Sequence, residues 1–204
     1  MAELSPDETA LLCGGPERVA QCALLGLYAQ GRVRVSRVTR RVTVVRREAD
    51  DEVQAALLDE VPDSGFLLGH VLEAVAESAE VLAVARGLHR RGLLRRGLRG
   101  RMRPTSRGRA VRRRLRADAA SGAASGLAAL SAEAGSRAVT RLAVLGTAAV
   151  EDEKLRQALE MDNPKPIKLP RDWAKGMHRD AGLGRGSGAD TQYTAYYDGG
   201  GADY

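Results

Sequence analysis

Apolar residues recur along the first part of the chain at two different spacings. From Val19 to Leu27 they recur every three or four residues, which predicts a helix that is buried on one side. Gly31 is placed to end this helix, because glycine readily adopts the left-handed conformation common at helix C-termini. From Val33 to Val45, valines alternate with polar residues, which predicts a β-hairpin with one buried face. Upstream, Ser5-Pro6-Asp7-Glu8 has the capping-box spacing of a helix start, so residues 5–47 are predicted to form helices followed by a hairpin.

The same order of elements is predicted for residues 50–116. Phe66 to Glu77 has a helical apolar pattern, and Ser78 is suited to cap a further helix that Gly92 should end. A second hairpin is predicted after Gly92, and Thr105 is suited to cap a basic helix that continues to the end of this unit. The sequence therefore predicts two units of the same kind in succession.

The two units also align with each other at an offset of 61 residues. Gly26 to Arg34 matches Gly87 to Arg95, with two glycines, one leucine and one arginine identical. Helices followed by a hairpin wing are the winged-helix layout, a relative of the helix-turn-helix. The predicted fold class is therefore mainly α with small β-hairpins (α+β), built from two winged-helix-like units.

The last part of the chain has a different pattern. Residues 117–161 are predicted to be a short helical region, with helices over 126–134, 136–150 and 151–161. Residues 162–204 combine a proline-rich linker with a tail rich in Gly, Asp and Tyr. This tail has too few aliphatic side chains to offset the entropy lost on ordering, so it is predicted to be disordered.

The positive charge of the chain is concentrated in one block. The net charge is +6, yet fourteen arginines and no acid lie between Arg86 and Arg116, and both flanking parts are net acidic. The planar fork of arginine suits phosphate oxygens, and counterion release drives salt-sensitive binding to nucleic acid. The block therefore predicts a polyanion-binding surface on the second hairpin and the helix after it, with nucleic acid as the first candidate ligand. The candidate binding residues are Arg90, Arg91, Arg95, Arg96, Arg99, Arg101, Arg103, Arg107, Arg112, Arg113, Arg114 and Arg116.

The basic block is also compatible with partners other than nucleic acid. It suits an acidic protein partner, which would make the chain an interaction or scaffold module, and it suits anionic lipid headgroups at the cytoplasmic membrane surface. It could equally be a solvated surface that pairs with the chain's own acids in residues 50–52 and 151–153.

Glu77 and Glu80 lie where a recognition helix would begin, and their charge repels phosphates. We therefore expect any nucleic-acid binding to be non-specific.

No arrangement of residues in the sequence predicts catalysis. Gly14-Gly15-Pro16 lacks the Lys-Ser/Thr of a phosphate loop and is predicted to form a tight turn, with Arg18 in a local ion pair. The three histidines lack spaced partner ligands for a metal, and Cys13 and Cys22 are predicted to be buried as small hydrophobic residues. We therefore expect a non-enzymatic protein without cofactor or metal.

No transmembrane helix or signal peptide is predicted, so the expected compartment is the cytoplasm, and the oligomeric state is left open.

Three stretches of the chain resemble an uncharacterised actinobacterial domain family. Leu11 to Val19 resembles the opening of this family, which is recognised by a Leu-x-x-Gly-Gly-Pro-x-Arg pattern. Val84 to Leu94 and Arg141 to Leu159 resemble later parts of it, so the resemblance covers roughly residues 5–160. It implies no established reaction or ligand. Many members of the family carry membrane spans and a Gly-rich tail, and this chain differs from them because no span is predicted.

Overall fold

In a computed structural model of the chain, the described residues are 4–97, 102–120 and 134–160. These residues are mainly helical and carry small antiparallel sheets, so the α+β fold class is confirmed at this level. They all belong to one compact unit, Met1–Pro164. The predicted tail at 162–204 and the predicted helix at 126–133 lie outside the described residues.

The first helices begin and end at the residues that the sequence pattern indicated. Helix α1 (Pro6–Gly14) starts with a complete capping box: the Glu8 N–H donates to Ser5 Oγ, and the Ser5 N–H donates to the Glu8 carboxylate, both at 3.1 Å. Helix α2 (Pro16–Ala29) follows after a tight turn. Strands β1 (Val33–Val35) and β2 (Arg41–Val44) then form the predicted antiparallel hairpin, hereafter hairpin 1.

The next segment differs from the prediction at one point. After helix α3 (Glu52–Asp59), Phe66 and Leu67 form a short strand, β3, whereas a helix was predicted from Phe66 onward. Strand β3 pairs antiparallel with β2, with Phe66 opposite Val42, and helix α4 (Leu68–Ala76) starts only after this pairing ends. The reason is tertiary: the edge of hairpin 1 offers backbone hydrogen bonds that a local pattern cannot reveal.

The second helix-to-hairpin segment repeats the first. Helix α5 (Ala79–Arg90) leads into strands β4 (Leu94–Arg96) and β5 (Met102–Pro104), which form hairpin 2. Gly31 and Gly92 have φ values of 67° and 71°, as predicted for residues that end helices. The next N–H donates to the equivalent carbonyl in each copy, from Arg32 to Leu27 at 2.9 Å and from Leu93 to Leu88 at 3.0 Å. The repeat predicted from the sequence is therefore present in the backbone geometry of both turns.

A single hydrophobic cluster connects the parts of the fold. Leu27 from the first predicted unit, Leu88 from the second and Leu142 from the C-terminal region are fully buried in it. Leu142 belongs to helix α7 (Ala134–Leu145), which packs against α1 and α2. Helix α6 (Ser106–Ala120) follows hairpin 2, and helix α8 (Glu153–Glu160) ends the described chain. Packing between the predicted units therefore contributes to the stability of both.

The Gly-Gly-Pro-x-Arg motif has a structural role in this packing. Gly15 has a φ of 87°, and Pro16 occupies the first turn of α2. Gly14 leaves room for Arg18, because a Cβ on Gly14 would lie 2.7 Å from Arg18 Cβ. The Arg18 guanidinium donates to the Leu142 carbonyl at 3.0 Å, near the C-terminus of α7. The predicted tight turn is confirmed, but Arg18 bonds to a distant helix end and forms no ion pair within the described residues.

The C-terminal helices are shorter than predicted. Helix α7 ends at Leu145 because Gly146 adopts a φ of 94°, and a short 3-10 helix, Thr147–Ala149, follows it.

Among the described residues, none of the helices combines the length and the apolar character needed to cross a bilayer.

Candidate polyanion-binding surface

Hairpin 2 presents two arginines directly opposite each other. Arg95 on β4 pairs in register with Arg103 on β5, and both side chains are exposed. Leu94 points to the other face and is buried, with Pro104 opposite it. Cross-strand partners lie on the same face of a sheet, about 5 Å apart at Cβ. The outer face of hairpin 2 therefore carries two adjacent positive charges.

Hairpin 1 provides a natural comparison, because β1 aligns with β4 in the repeat, although the connection between the strands is one residue longer in hairpin 1. Arg34, the equivalent of Arg95, lies opposite Thr43, and the next pair is Val35 with Val42. In hairpin 2 the residue opposite Arg95 is Arg103, and Arg96 stands where hairpin 1 has Val35. Hairpin 1 also carries several arginines, but among the paired residues of the two hairpins the direct cross-strand pair of arginines is found in hairpin 2.

Helix α6 is held tightly against the start of hairpin 2. The Thr105 side chain caps α6 by accepting from the Gly108 N–H at 3.0 Å, and it donates to the Gly92 carbonyl at 2.8 Å. The Thr105 N–H donates to the Leu93 carbonyl at 3.0 Å. Gly108 is buried against Leu93, where a side chain would collide with the Leu93 carbonyl. Hairpin 2 and α6 therefore form one rigid platform for the arginines that they carry.

Helix α6 turns most of its arginines toward solvent. Val111 and Leu115 are half-buried and face inward, while Arg107, Arg113 and Arg114 are exposed. Arg112 is half-buried and lines an apolar groove beside hairpin 2, and Arg116 is exposed. Because Val111 and Leu115 face inward, the exposed positions of α6 are arginine, serine and alanine.

Three of the predicted binding arginines have partners within the described residues. Arg91 forms an ion pair with Glu8 at 2.5 Å, and Arg114 forms one with Asp118 at 3.8 Å. Arg116 donates to the Cys13 carbonyl at 3.1 Å. Arg91 and Arg116 therefore bind to residues that are distant in the chain, whereas the pair of Arg114 with Asp118 lies within α6.

The remaining predicted residues fall into two groups. Arg99 and Arg101 lie outside the described residues. The rest form no hydrogen bond or ion pair with any described part of the chain; they are Arg90, Arg95, Arg96, Arg103, Arg107, Arg112 and Arg113. Sequence reasoning left out two exposed arginines of the same block, Arg86 and Arg109, although charge alone would have included them. Arg109 donates to the Pro104 carbonyl at 3.4 Å and to Ser106 at 3.2 Å.

The N-terminal acids considered as internal partners of the block bind elsewhere. Asp50 accepts from Arg32 at 2.8 Å, and hydrogen bonds from Arg32 and then Gln30 hold the pKa of Asp50 below its usual value. The Asp51 carboxylate caps α3 by accepting from the Gln54 N–H at 2.8 Å. Neither of these contacts involves a described arginine of the basic block.

The acids of residues 151–153 show the same behaviour. Glu151 pairs with Arg141 at 2.6 Å. Asp152 accepts from the Tyr28 hydroxyl at 2.8 Å, which lowers the pKa of Asp152 and raises the pKa of Tyr28. Glu153 lies 4.0 Å from Arg156. None of these contacts involves the basic block.

Groups with redox or metal chemistry are placed in structural roles. Cys13 and Cys22 are both free and buried, and burial raises the pKa of each thiol. His70 packs against Phe66 with ring centroids 5.9 Å apart, and His89 Nδ1 lies 3.0 Å from the Leu94 carbonyl. Within residues 4–97, 102–120 and 134–160, no cluster of three or more His, Cys, Asp or Glu side chains could hold a metal ion.

A groove of about 1160 Å³ lies beside hairpin 2. Its lining is largely apolar and includes Leu72, Leu82 and Met102. Glu73 on α4 and Arg112 on α6 also line it. The inner face of hairpin 2 thus borders the groove, while Arg95 and Arg103 lie on the opposite face.

Comparisons with known proteins give no relatives. No family model matches the chain. No curated protein matches it, and no solved structure matches it. The resemblance to an actinobacterial domain family therefore stays a prediction, and the function has to be inferred from the surface itself.

Proposed function

We propose that this chain is a non-enzymatic binding module for a polyanion, with nucleic acid bound non-specifically through hairpin 2 and α6. The observation that carries the proposal is the cross-strand pair of Arg95 and Arg103. Like charges directly opposite each other destabilise a hairpin. A phosphate placed between the two guanidinium groups would remove this repulsion and gain charge-assisted hydrogen bonds.

The repeated turns support a winged-helix-like role for the two units. In this proposal hairpin 2 is a wing, and α5 occupies the place of a recognition helix. The first turn of α5 carries Glu80, and Glu77 ends α4 immediately before it. Two carboxylates at this end of α5 repel phosphates, which supports contact through the wing and α6 and argues against reading of base edges by α5.

The outer surface of α6 favours a polyanion over a lipid bilayer. A helix that lies in the membrane interface needs an apolar face toward the acyl chains. The apolar residues of α6, Val111 and Leu115, face the protein, and its exposed positions are arginine, serine and alanine. An acidic protein surface would be attracted to the same arginines, so an acidic chain is included among the ligands to be tested.

The test is fluorescence anisotropy with two unrelated DNA duplexes over a salt series. We expect similar affinities for both duplexes and a steep loss of binding between low and moderate salt. The variant Arg95→Ala/Arg103→Ala should weaken binding to both duplexes and reduce the slope of log affinity against log salt by about 2. The matched control is Arg34→Ala/Arg37→Ala, which removes the same charge from exposed positions of hairpin 1.

The outcomes separate the candidate ligands clearly. Equal losses in the two variants would mean that net charge alone drives binding and would refute a site on hairpin 2. A thousandfold preference for one duplex would refute non-specific binding. Absence of DNA binding at low salt, together with tight binding of an acidic chain such as poly-glutamate, would replace nucleic acid with an acidic partner.

A further inference from the structure

Helix α6 carries arginines on both flanks of a narrow row of small residues. Successive residues of a helix are rotated by about 100°, which places Ser106, Ala110 and Ala117 along the outermost line of α6. All three residues are exposed. Gly108 lies on the opposite side of the helix and is buried. We call the line of Ser106, Ala110 and Ala117 the α6 crest.

The arginines beside the crest are divided between its two flanks. Arg107 and Arg114 project on one side of the crest, while Arg109, Arg113 and Arg116 project on the other. All five side chains are exposed. Arg116 donates to the Cys13 carbonyl and Arg114 pairs with Asp118, whereas Arg107 and Arg113 form no hydrogen bond or ion pair with the described residues. The helix therefore has positive charge on both flanks of the crest, with Arg107 on one flank and Arg113 close beside the crest on the other.

The dimensions of this arrangement match a groove between two phosphate backbones. An α-helix with its side chains is about 10–12 Å wide, and the major groove of B-form DNA is about 12 Å wide. Twelve residues from Ser106 to Ala117 extend for about 18 Å at 1.5 Å per residue, which is close to half a turn of duplex DNA. Small side chains on the crest let the backbone approach the groove, and Arg107 and Arg113 on opposite flanks then reach phosphates of the two strands.

We propose that the polyanion is B-form duplex DNA and that α6, the helix after the wing, lies in its major groove. This inference rests on the proposed polyanion-binding function and specifies its ligand. Arg95 and Arg103 of hairpin 2, fixed to α6 through Thr105, contact phosphates next to the groove. The crest offers only the Ser106 hydroxyl to base edges, so binding is independent of sequence.

The proposal predicts a clear preference between duplexes. A-form RNA has a deep, narrow major groove that does not admit side chains or a helix. Duplex DNA should therefore bind at least tenfold more tightly than duplex RNA of the same sequence and length at the same salt concentration. Single-stranded DNA should also bind more weakly, because it presents only one phosphate backbone to the two flanks of α6.

The sharpest test changes the crest without changing the charge. The variant Ala110→Leu/Ala117→Leu adds bulk at two exposed positions, where it leaves the hydrophobic core intact. We expect affinity for a 20-base-pair DNA duplex to fall about tenfold or more, while affinity for inorganic polyphosphate stays unchanged. The matched control is Ala79→Leu/Ala83→Leu, which adds the same bulk at exposed positions of α5. Thermal melts of both variants verify that each one is folded.

Each result has a definite meaning. Equal affinity for DNA and RNA duplexes, or an unchanged DNA affinity of the α6 variant, would overturn the placement of α6 while leaving polyanion binding intact. A loss of DNA affinity confined to the α5 variant would assign the groove to α5 and overturn the proposal. If the unmodified protein bound neither duplex nor polyphosphate at low salt, the proposed function would fail together with this inference.

Discussion

The contact between α6 and hairpin 2 depends on the absence of a side chain at Gly108. A Cβ at this position would lie well under 3.0 Å from the Leu93 carbonyl oxygen, 3.1 Å from the Leu93 carbonyl carbon and 3.4 Å from Leu12 Cδ1. The first two atoms belong to the backbone, so they cannot move aside by a change of rotamer. In Gly108→Ala, the start of α6 must therefore shift away from β4 and lengthen the hydrogen bonds of Thr105.

Two opposing effects determine the magnitude of this change. Overpacking of a tight site costs about 1–3 kcal/mol, whereas replacing glycine by alanine in a helix gains up to about 1 kcal/mol. We therefore expect Gly108→Ala to lower the free energy of unfolding by about 1–2 kcal/mol. For a chain of this size that loss corresponds to a melting temperature lower by about 2–8 °C.

Thermal and urea melts followed by circular dichroism measure the effect, and the fold contains a matched control. Gly87 lies in α5, where a Cβ would have Glu8 Oε1 at 3.9 Å as its nearest neighbour. Gly87→Ala should therefore stabilise the protein by about 0.5–1 kcal/mol. If Gly108→Ala proved as stabilising as Gly87→Ala, the close approach of α6 to Leu93 would be wrong, and the rigid platform proposed for the arginines would be wrong with it.

Two further predictions concern the turns and the acids of α1. Gly31→Val and Gly92→Val should each destabilise the protein by about 1 kcal/mol or more, because a β-branched residue is strained at positive φ; unchanged melting temperatures would contradict the equivalence of the turns. Burial, followed by the charges of Asp51 and Glu8, raises the pKa of Asp7 to about 6 from an unfolded value of 3.8. The folded state therefore binds the Asp7 proton more tightly than the unfolded state does. The stability that protonation of Asp7 contributes is fully present below the pKa of the unfolded state and is lost as the pH rises through about 6. Asp7→Asn should raise the free energy of unfolding at pH 7.5 by about 1–2 kcal/mol after allowance for solvent screening, and by much less at pH 4.5; the same gain at both pH values would refute a raised pKa.

The sequence alone was sufficient for features that depend on neighbouring residues. The helix starts at Ser5, Ser78 and Thr105 follow from short-range capping by hydroxyl side chains. The helix ends at Gly31 and Gly92 follow from the ease with which glycine adopts positive φ. Hairpin 1 follows from its alternating pattern, because neighbouring residues of a strand face opposite sides. All of these signals act over a few residues, so a linear pattern contains them.

Only the tertiary structure decided which arginines of the basic block are engaged. Arg91 lies within the block, but it pairs with Glu8, which is 83 residues away in the chain. Arg116 looks equivalent to Arg113 in the sequence, yet Arg116 bonds to the carbonyl of Cys13. Charge density along a sequence predicts where a basic surface lies, but the partner of each side chain depends on the path of the backbone.

The remaining differences have the same physical origin. Phe66 begins a strand because the edge of β2 is available to it, and Arg18 reaches the Leu142 carbonyl across 124 residues. Gly108 is required because α6 crosses Leu93 at close range, although a glycine in a helical pattern looks merely unfavourable in the sequence. Contacts between distant segments depend on how the whole chain packs, and packing is a property of the fold that no local spacing of residues specifies.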